Sequence, residues 1–524
     1  MNTISCPNCG APVTFRSAAS VMAVCGFCNS TLIKDADAVR NIGRMGDVLE
    51  DFSPIQINTS GTVDGRSFTV VGRIQLRYPA GFWNEWYVLD DHGDGAWLSD
   101  GSGQYTFTRE VDRPSLPNIA LPAFEGLAPG APLNLGKAPD GSVLLFIAGD
   151  IRSAQCTGGQ GELPFTVGTG YAARVADFRR GGEFLTLDYS DEVGDRSGLR
   201  PSPPEPSPNA GGSTPTVYRG RSVTLDELKP QLLRDPETIT DAAGRVKGKV
   251  TNLECPSCGA SIAFSPGATS HLLCQTCHAS LDVAGPVAEV LAAAKRVESV
   301  RPTLPLGATG TIGAVPYRVI GFMRRAEISD EAGEWTEYLL YAPQRGFLWL
   351  IETDEGWERA QVLDTWPFWY TADRALLAGD SYEKLYDYQA VVKYAAGAFN
   401  WRVEVGDVDH VTDFRFGNAK LSAEADEAEL TWSRSTPVTA SDLAQWFGKQ
   451  VDTSAVPSGP PSLLDRPPGG YRQVAKWLTI LLLAVNAIPI LFSPGRAVII
   501  VILATVGLYF PAWLMDKAAA EKTG

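Results

Sequence analysis

The chain has 524 residues, room for about three or four domains at the usual ~150 residues each. Charged residues make up 20% and hydrophobic residues 44%, a balance that excludes wholesale disorder. The net charge of −15 (45 basic against 60 acidic side chains) argues against nucleic acid or an anionic surface as the default partner.

In chain order the first feature is a set of cysteines, Cys6, Cys9, Cys25 and Cys28, spaced C-x2-C-x15-C-x2-C. The same spacing returns at Cys255, Cys258, Cys274 and Cys277, and together the sets use eight of the nine cysteines. A C-x2-C turn points two sulfurs at one tetrahedral ion, and the intervening stretch is long enough for a hairpin that brings back the second pair. Gly10 and Gly259 follow the first pairs and permit the tight backbone such a turn needs. Disulfides are the alternative, but two identical repeats favour two structural zinc sites in ribbons spanning 1–34 and 250–283. Thiolate sites imply a reducing compartment, and no secretory signal precedes Cys6. The ribbons carry little basic charge: Arg16 and Lys34 in the first, none from Cys255 to Leu281 in the second. No nucleic acid is expected as a partner, because a phosphate-binding face needs clustered Lys or Arg. Cys156 reads as a small buried side chain.

The repeat extends beyond the ribbons. Helical connectors are expected at 35–54 and 284–302, followed by β domains at 55–235 and 303–450, each closing on a terminal helix capped by Thr224 or Thr439. Short aromatic and β-branched runs between Gly, Asp and Pro clusters predict many antiparallel strands, with turns at Asp100-Gly101 and Asp354-Glu355-Gly356. A Pro-rich stretch at 197–215 reads as a loop within the last hairpin of the first domain, and 236–249 and 451–470 read as linkers. The expected fold is mainly β: two repeats of zinc ribbon plus an antiparallel sandwich or barrel-like domain, ending in an α-helical transmembrane hairpin.

Within the β domains, Trp83-x-Glu85 corresponds to Trp335-x-Glu337, and Asp177-x-Arg179 to Asp413-x-Arg415. Residues two apart on a strand share a face, so each tryptophan stands beside its glutamate. That pairing suits either a cation-binding platform or a core tryptophan next to a carboxylate tied to Arg179 or Arg415. Asp177 and Asp413 read as partners of nearby arginines. No phosphate loop, zinc-protease motif, nucleophile elbow or kinase motif set is present, and His92 and His410 occupy non-equivalent places suited to solvated loops. No catalytic constellation emerges.

The chain ends differently. Trp477–Phe492 and Ala497–Met515 are uncharged, separated by Ser493-Pro494-Gly495-Arg496. Their lengths suit a membrane hairpin within 471–524, with Trp477, Tyr509 and Trp513 as interfacial aromatics. Arg472, Lys476, Lys517 and Lys522 flank the hairpin against Arg496 alone in its turn, which places both ends in the cytoplasm.

The glycine-bounded strands, the Trp-x-Glu-aromatic strand, the Trp-Leu strands (Trp97-Leu98, Trp349-Leu350) and the stretch Gly397-Ala398-Phe399-Asn400-Trp401 resemble a bacterial family, domain of unknown function 4178. The resemblance covers about 130 residues in each copy. It implies association with ribbons, membrane segments and envelope-stress genes, without implying an activity. The expected function is a non-enzymatic scaffold or adaptor at the inner membrane, with the bilayer and unidentified proteins as partners. A ligand-binding or ligand-processing domain using Glu85 or Glu337, and nucleic-acid binding by the ribbons, are the alternatives.

Overall fold

The computed structural model describes most of residues 2–448, apart from 112–120, 191–214, 236–252, 263–270, 283–288, 293–301 and breaks of one to three residues, plus scattered residues between 475 and 510. Met1–Pro457 form one compact unit and Ser458–Gly524 a second.

The first unit holds two β barrels. The first has strands β1 (Arg66–Tyr78), β2 (Gly81–Asp90), β3 (Gly95–Gly101), β4 (Gln104–Glu110), β5 (Val143–Leu163), β6 (Ala172–Arg180), β7 (Glu183–Asp188) and β8 (Thr216–Val223). They run in the order β1-β2-β3-β4-β8-β7-β6-β5, and β5 pairs back onto β1 to close the ring. The second repeats this with β9 (Val315–Glu327), β10 (Asp330–Ala342), β11 (Gly346–Thr353), β12 (Gly356–Val362), β13 (Asp380–Phe399), β14 (Val408–Phe416), β15 (Ala419–Ala425) and β16 (Leu430–Val438), closed by β13 on β9. Of the sandwich and barrel anticipated for these domains, the pairings select the barrel, and every neighbouring pair is antiparallel.

One long strand closes each ring. β5 spends 147–155 on β6, then 156–161 on β1, with its register shifted between Cys156 and Gly158. Its last residues pair with Met22–Val24 of the ribbon. β13 does the same with His271–Leu273 of the second ribbon. Each ribbon is therefore hydrogen-bonded into the sheet of its own barrel.

Apolar clusters lie on both faces of the sheet, with Ile74, Leu76, Tyr87 and Leu89 on the face of Glu85. In the first barrel Phe68, Val70, Trp86, Val88, Leu98 and Phe107 form one cluster with Ile55 and Leu228 from flanking segments. Phe146, Phe178, Leu185 and Leu187 form another with Leu133 and Leu135. The opposite face is the concave one. Arg325 on β9 hydrogen-bonds Glu424 on β15, three strands away around the ring, which only an inward-facing side chain can reach. Trp335 and Glu337 share that inward face.

Several sequence expectations change here. The connectors at 35–54 and 284–302 contain strands: Ala38–Arg44 pairs with Ser30–Asp35, and Glu289–Ala292 pairs with Ser280–Asp282. Gly43, at φ 144°, sits beside a register shift in the first of these, and a glycine inside a helix would cost about 1 kcal/mol. Thr439 caps a helix, α1 (Ala440–Phe447), through a capping box with Asp442. Its counterpart Thr224 makes the reciprocal contacts with Glu227, but the chain completes only a turn. Lys229 adopts φ 47° and Pro230 follows, so the helix cannot propagate. The turn after β3 lies at Ser102-Gly103, with φ of 55° and 81°, rather than at Asp100-Gly101. Most of the Pro-rich loop, all of 236–249 and all of 451–470 lie outside the described residues.

Among the described residues, no helix is long and apolar enough to cross a membrane. Most of the expected hairpin lies outside them; within it, 478–480 and 507–510 are helical.

Candidate metal centres and the barrel interior

The cysteines converge as their spacing requires. Cys6, Cys9, Cys25 and Cys28 place their sulfurs within 4.8 Å of one another, and so do Cys255, Cys258, Cys274 and Cys277. Cys6 and Cys28 Sγ lie 3.7 Å apart, as do Cys9 and Cys25. The second cluster gives 3.6 Å for Cys255–Cys277 and 3.8 Å for Cys258–Cys274. Four sulfurs at ~2.3 Å from one tetrahedral ion would be about 3.8 Å apart, so both clusters fit a metal and neither fits a disulfide.

Local backbone builds these corners. The Gly10 N–H donates to Cys6 O and the Cys6 N–H to Ala11 O; Gly259, Cys255 and Ala260 repeat both bonds. Gly10 and Gly259 take φ of 75° and 73°, the left-handed turn for which glycine is suited. The Ser30 hydroxyl lies 3.2 Å from Cys28 Sγ, and hydrogen bonding to Ser30 and then Asn8 lowers the Cys28 thiol to about 5. In each cluster the first and third cysteines are buried and the second is exposed. The ion would hold two small hairpins together where little apolar core is available.

The first ribbon is also fixed by a carboxylate. Glu162, buried at the end of β5, accepts the Arg16 N–H at 2.7 Å and the Ser20 hydroxyl at 2.8 Å. Ala398 stands at the corresponding place in β13, opposite Leu272 of the second ribbon.

The Trp-x-Glu pairs meet as their common face dictates. Trp83 Nε1 donates to Glu85 Oε1 at 2.8 Å, and Trp335 Nε1 to Glu337 Oε1 at 2.6 Å. Ser99 Oγ donates to the other Glu85 oxygen at 2.6 Å. Burial pushes the Glu85 carboxyl up to about 7 against these bonds. Glu337 also accepts from Arg325 Nη1 at 3.3 Å; burial raises its carboxyl and Arg325 opposes that. Arg325 further holds Glu424 at 2.7 Å and Asp409 at 2.5 Å. One guanidinium thus joins carboxylates from three other strands.

The expected Asp–Arg partnerships do not form as hydrogen bonds. Asp177 accepts from Thr186 Oγ1 and Asp413 from Ser422 Oγ, each at 2.6 Å, across the same strand pair in each barrel. Burial raises both carboxyls, Asp177 to about 6. Arg179 donates instead to Ser222 Oγ at 3.0 Å and lies over the rings of Phe184 and Trp366. Lys420, rather than Arg415, approaches Asp413, at 3.7 Å, while bonding Glu358 at 3.0 Å. Neither Glu85 nor Glu337 is tied to Arg179 or Arg415. His92 is exposed in a turn, and His410 is exposed on β14 rather than in a loop.

Two charged groups escaped the sequence reading. Arg325 follows an apolar run, Val319–Met323, directly after Arg324. Arg73 stands in another, where it bonds Asp51 at 2.6 Å and Asn84 at 2.7 Å. A lone arginine within Val70–Ile74 is a signal that could have marked Arg73, since a buried cation requires a partner, whereas Arg325 sits beside Arg324 and carries no such mark.

No curated protein matches the chain. Residues 305–440, which contain the whole second barrel, match the family model described as Domain of unknown function (DUF4178).

Proposed function

We propose that the protein is a membrane-anchored, non-enzymatic scaffold whose two ribbon-bearing barrels recruit or assemble protein partners on the cytoplasmic face of the inner membrane. The observation that carries this reading is the continuity of ribbon and barrel. Met22–Val24 and His271–Leu273 pair with the ends of the closing strands, so each cysteine cluster is tied into the sheet of its barrel. Zinc is the ion the four-thiolate sets favour, and its role is to fold the ribbons. Glu85 and Glu337 are engaged by tryptophan, serine and arginine within their barrels, which favours a structural role over general acid–base work. Envelope-stress handling is the setting that the family resemblance suggests.

The anchor rests on 471–524, whose five basic and two acidic side chains give a net of +3, leaving −18 on the remaining residues. Leu478, Ile480, Leu483 and Phe510 are exposed in the second unit, apolar surface that a bilayer would cover. Two spans would return the C-terminus to the cytoplasm. Fractionation with alkaline extraction, combined with a C-terminal topology reporter, tests the anchor. The chain should stay in the membrane pellet with its C-terminus cytoplasmic; extraction into the soluble fraction would end this reading.

A further inference from the structure

The two copies enclose a cleft of about 370 Å³. Its walls come from both barrels: Asp100, Tyr105 and Phe82 from the first, Tyr317, Tyr341 and Phe347 from the second. Direct contacts between the copies fix it, among them Asn400 Nδ2 to Ser102 Oγ at 2.8 Å and the Arg402 N–H to Ala80 O at 2.7 Å. The cleft exists only because the unit is repeated, and neither barrel contains it alone.

Two of its wall carboxylates, Asp100 and Asp364, form no salt bridge among the described residues, and Asp100 is the more deeply buried. Asp51, also on the wall, is neutralised by Arg73 at 2.6 Å and Arg234 at 3.5 Å. Asp226 pairs with Arg345 at 2.8 Å at the rim. Asp100 is only 6% exposed and forms no salt bridge among the described residues. Its hydrogen-bonded neighbour is the neutral Ser53 hydroxyl. The charge of Arg73 reaches Asp100, but that guanidinium is engaged by Asp51 and Asn84. A buried carboxylate without a bound cation is costly, and aromatic walls attract cations through their ring faces.

We infer that this inter-barrel cleft binds a small organic cation, a primary amine or guanidinium compound, with Asp100 as its counter-ion and Tyr105 and Tyr341 as aromatic walls. The inference goes beyond the scaffold reading, because it gives the paired barrels a ligand of their own. It does not depend on membrane attachment or on partner proteins.

Isothermal titration of the full-length chain in mild detergent with putrescine and agmatine, and with succinate as an anionic control, tests it. Saturable binding of either amine, none of succinate, and affinity weakened about tenfold or more in Asp100→Asn are expected. Asn keeps the shape and the acceptor for Ser53, and Asp94→Asn, an exposed carboxylate elsewhere, should bind as the parent does. Should Asp100→Asn fail to fold, Gln361→Trp, at an exposed lining position, should abolish binding by filling the cleft. No saturable binding of either amine, or undiminished binding in a folded Asp100→Asn or Gln361→Trp variant, would overturn the inference.

Discussion

Gly161 faces Gly72 directly across the seam that closes the first barrel, and Gly397 faces Gly321 across the same seam in the second. Gly161 and Gly397 take φ of 70° and 93°. A Cβ on Gly72 would stand 1.8 Å from Glu162 O, and one on Gly321 2.5 Å from Ala398 O. These positions admit no side chain, because the closing strand bends there from barrel to ribbon.

Gly72→Ala and Gly321→Ala should therefore each destabilise the chain by about 2–3 kcal/mol, through backbone overpacking that nothing nearby can relieve. Gly168, whose added Cβ would meet open space, should accept alanine within about 0.5 kcal/mol. Denaturant unfolding of the three variants checks the contrast.

The two cysteine clusters should behave as independent metal sites. Elemental analysis is expected to give two zinc ions per chain, falling to one in Cys9→Ser and to one in Cys258→Ser. Chelation should increase proteolysis of the ribbons before the barrels unfold, since each barrel has its own apolar clusters.

Removing Arg325 leaves Glu337, Glu424 and Asp409 facing one another inside the second barrel. Arg325→Met should cost about 3–5 kcal/mol near neutral pH, the range for breaking a buried ion cluster. The loss should shrink at pH 5, where Glu337 and Asp409, whose carboxyls burial already raises, can protonate. Thermal melts at the two pH values would separate this from a simple packing defect.

The buried carboxylates also fix how the intact chain responds to pH. Burial raises Glu85, Asp100 and Asp409 to about 7 and Asp177 to about 6, from ordinary values of 4.5 for Glu and 3.8 for Asp. Between those limits the folded chain holds more protons than the unfolded chain, so stability falls as pH rises through the window and levels off above about 7. Asp90, Asp387 and Glu358 are shifted downward and act in the opposite sense, below their ordinary values. The melting temperature should accordingly decline from pH 5.5 to pH 8. Asp100→Asn should melt higher than the parent at pH 8 and differ little at pH 5.

Much of this arrangement was legible in local spacing. The C-x2-C pairs bring their sulfurs together because the turn geometry is local, and Trp-x-Glu shares a face because strand periodicity is two. Thr439 caps its helix for the same kind of reason. What stayed hidden depends on distant partners. Val39 and Ile42 stand in a strand because Thr31 to Asp35 offers an edge to pair with. Thr224 carries the same capping chemistry as Thr439, yet Pro230 stops its turn. Barrel closure joins Gly72 to a residue far along the chain, and no local pattern reports that pairing. Arg325 and Asp100 belong to the same class, since their partners come from other strands or from the loop at Ser53.

The scaffold reading is tested most directly by crosslinking and affinity capture from native membranes, comparing the full-length chain with a variant in which Cys9 and Cys258 are both serine. A defined set of cytoplasmic-face proteins should copurify with the parent and be lost from the variant while both barrels remain folded. The same set retained after both ribbons are disrupted, or no reproducible partner at all, would contradict it.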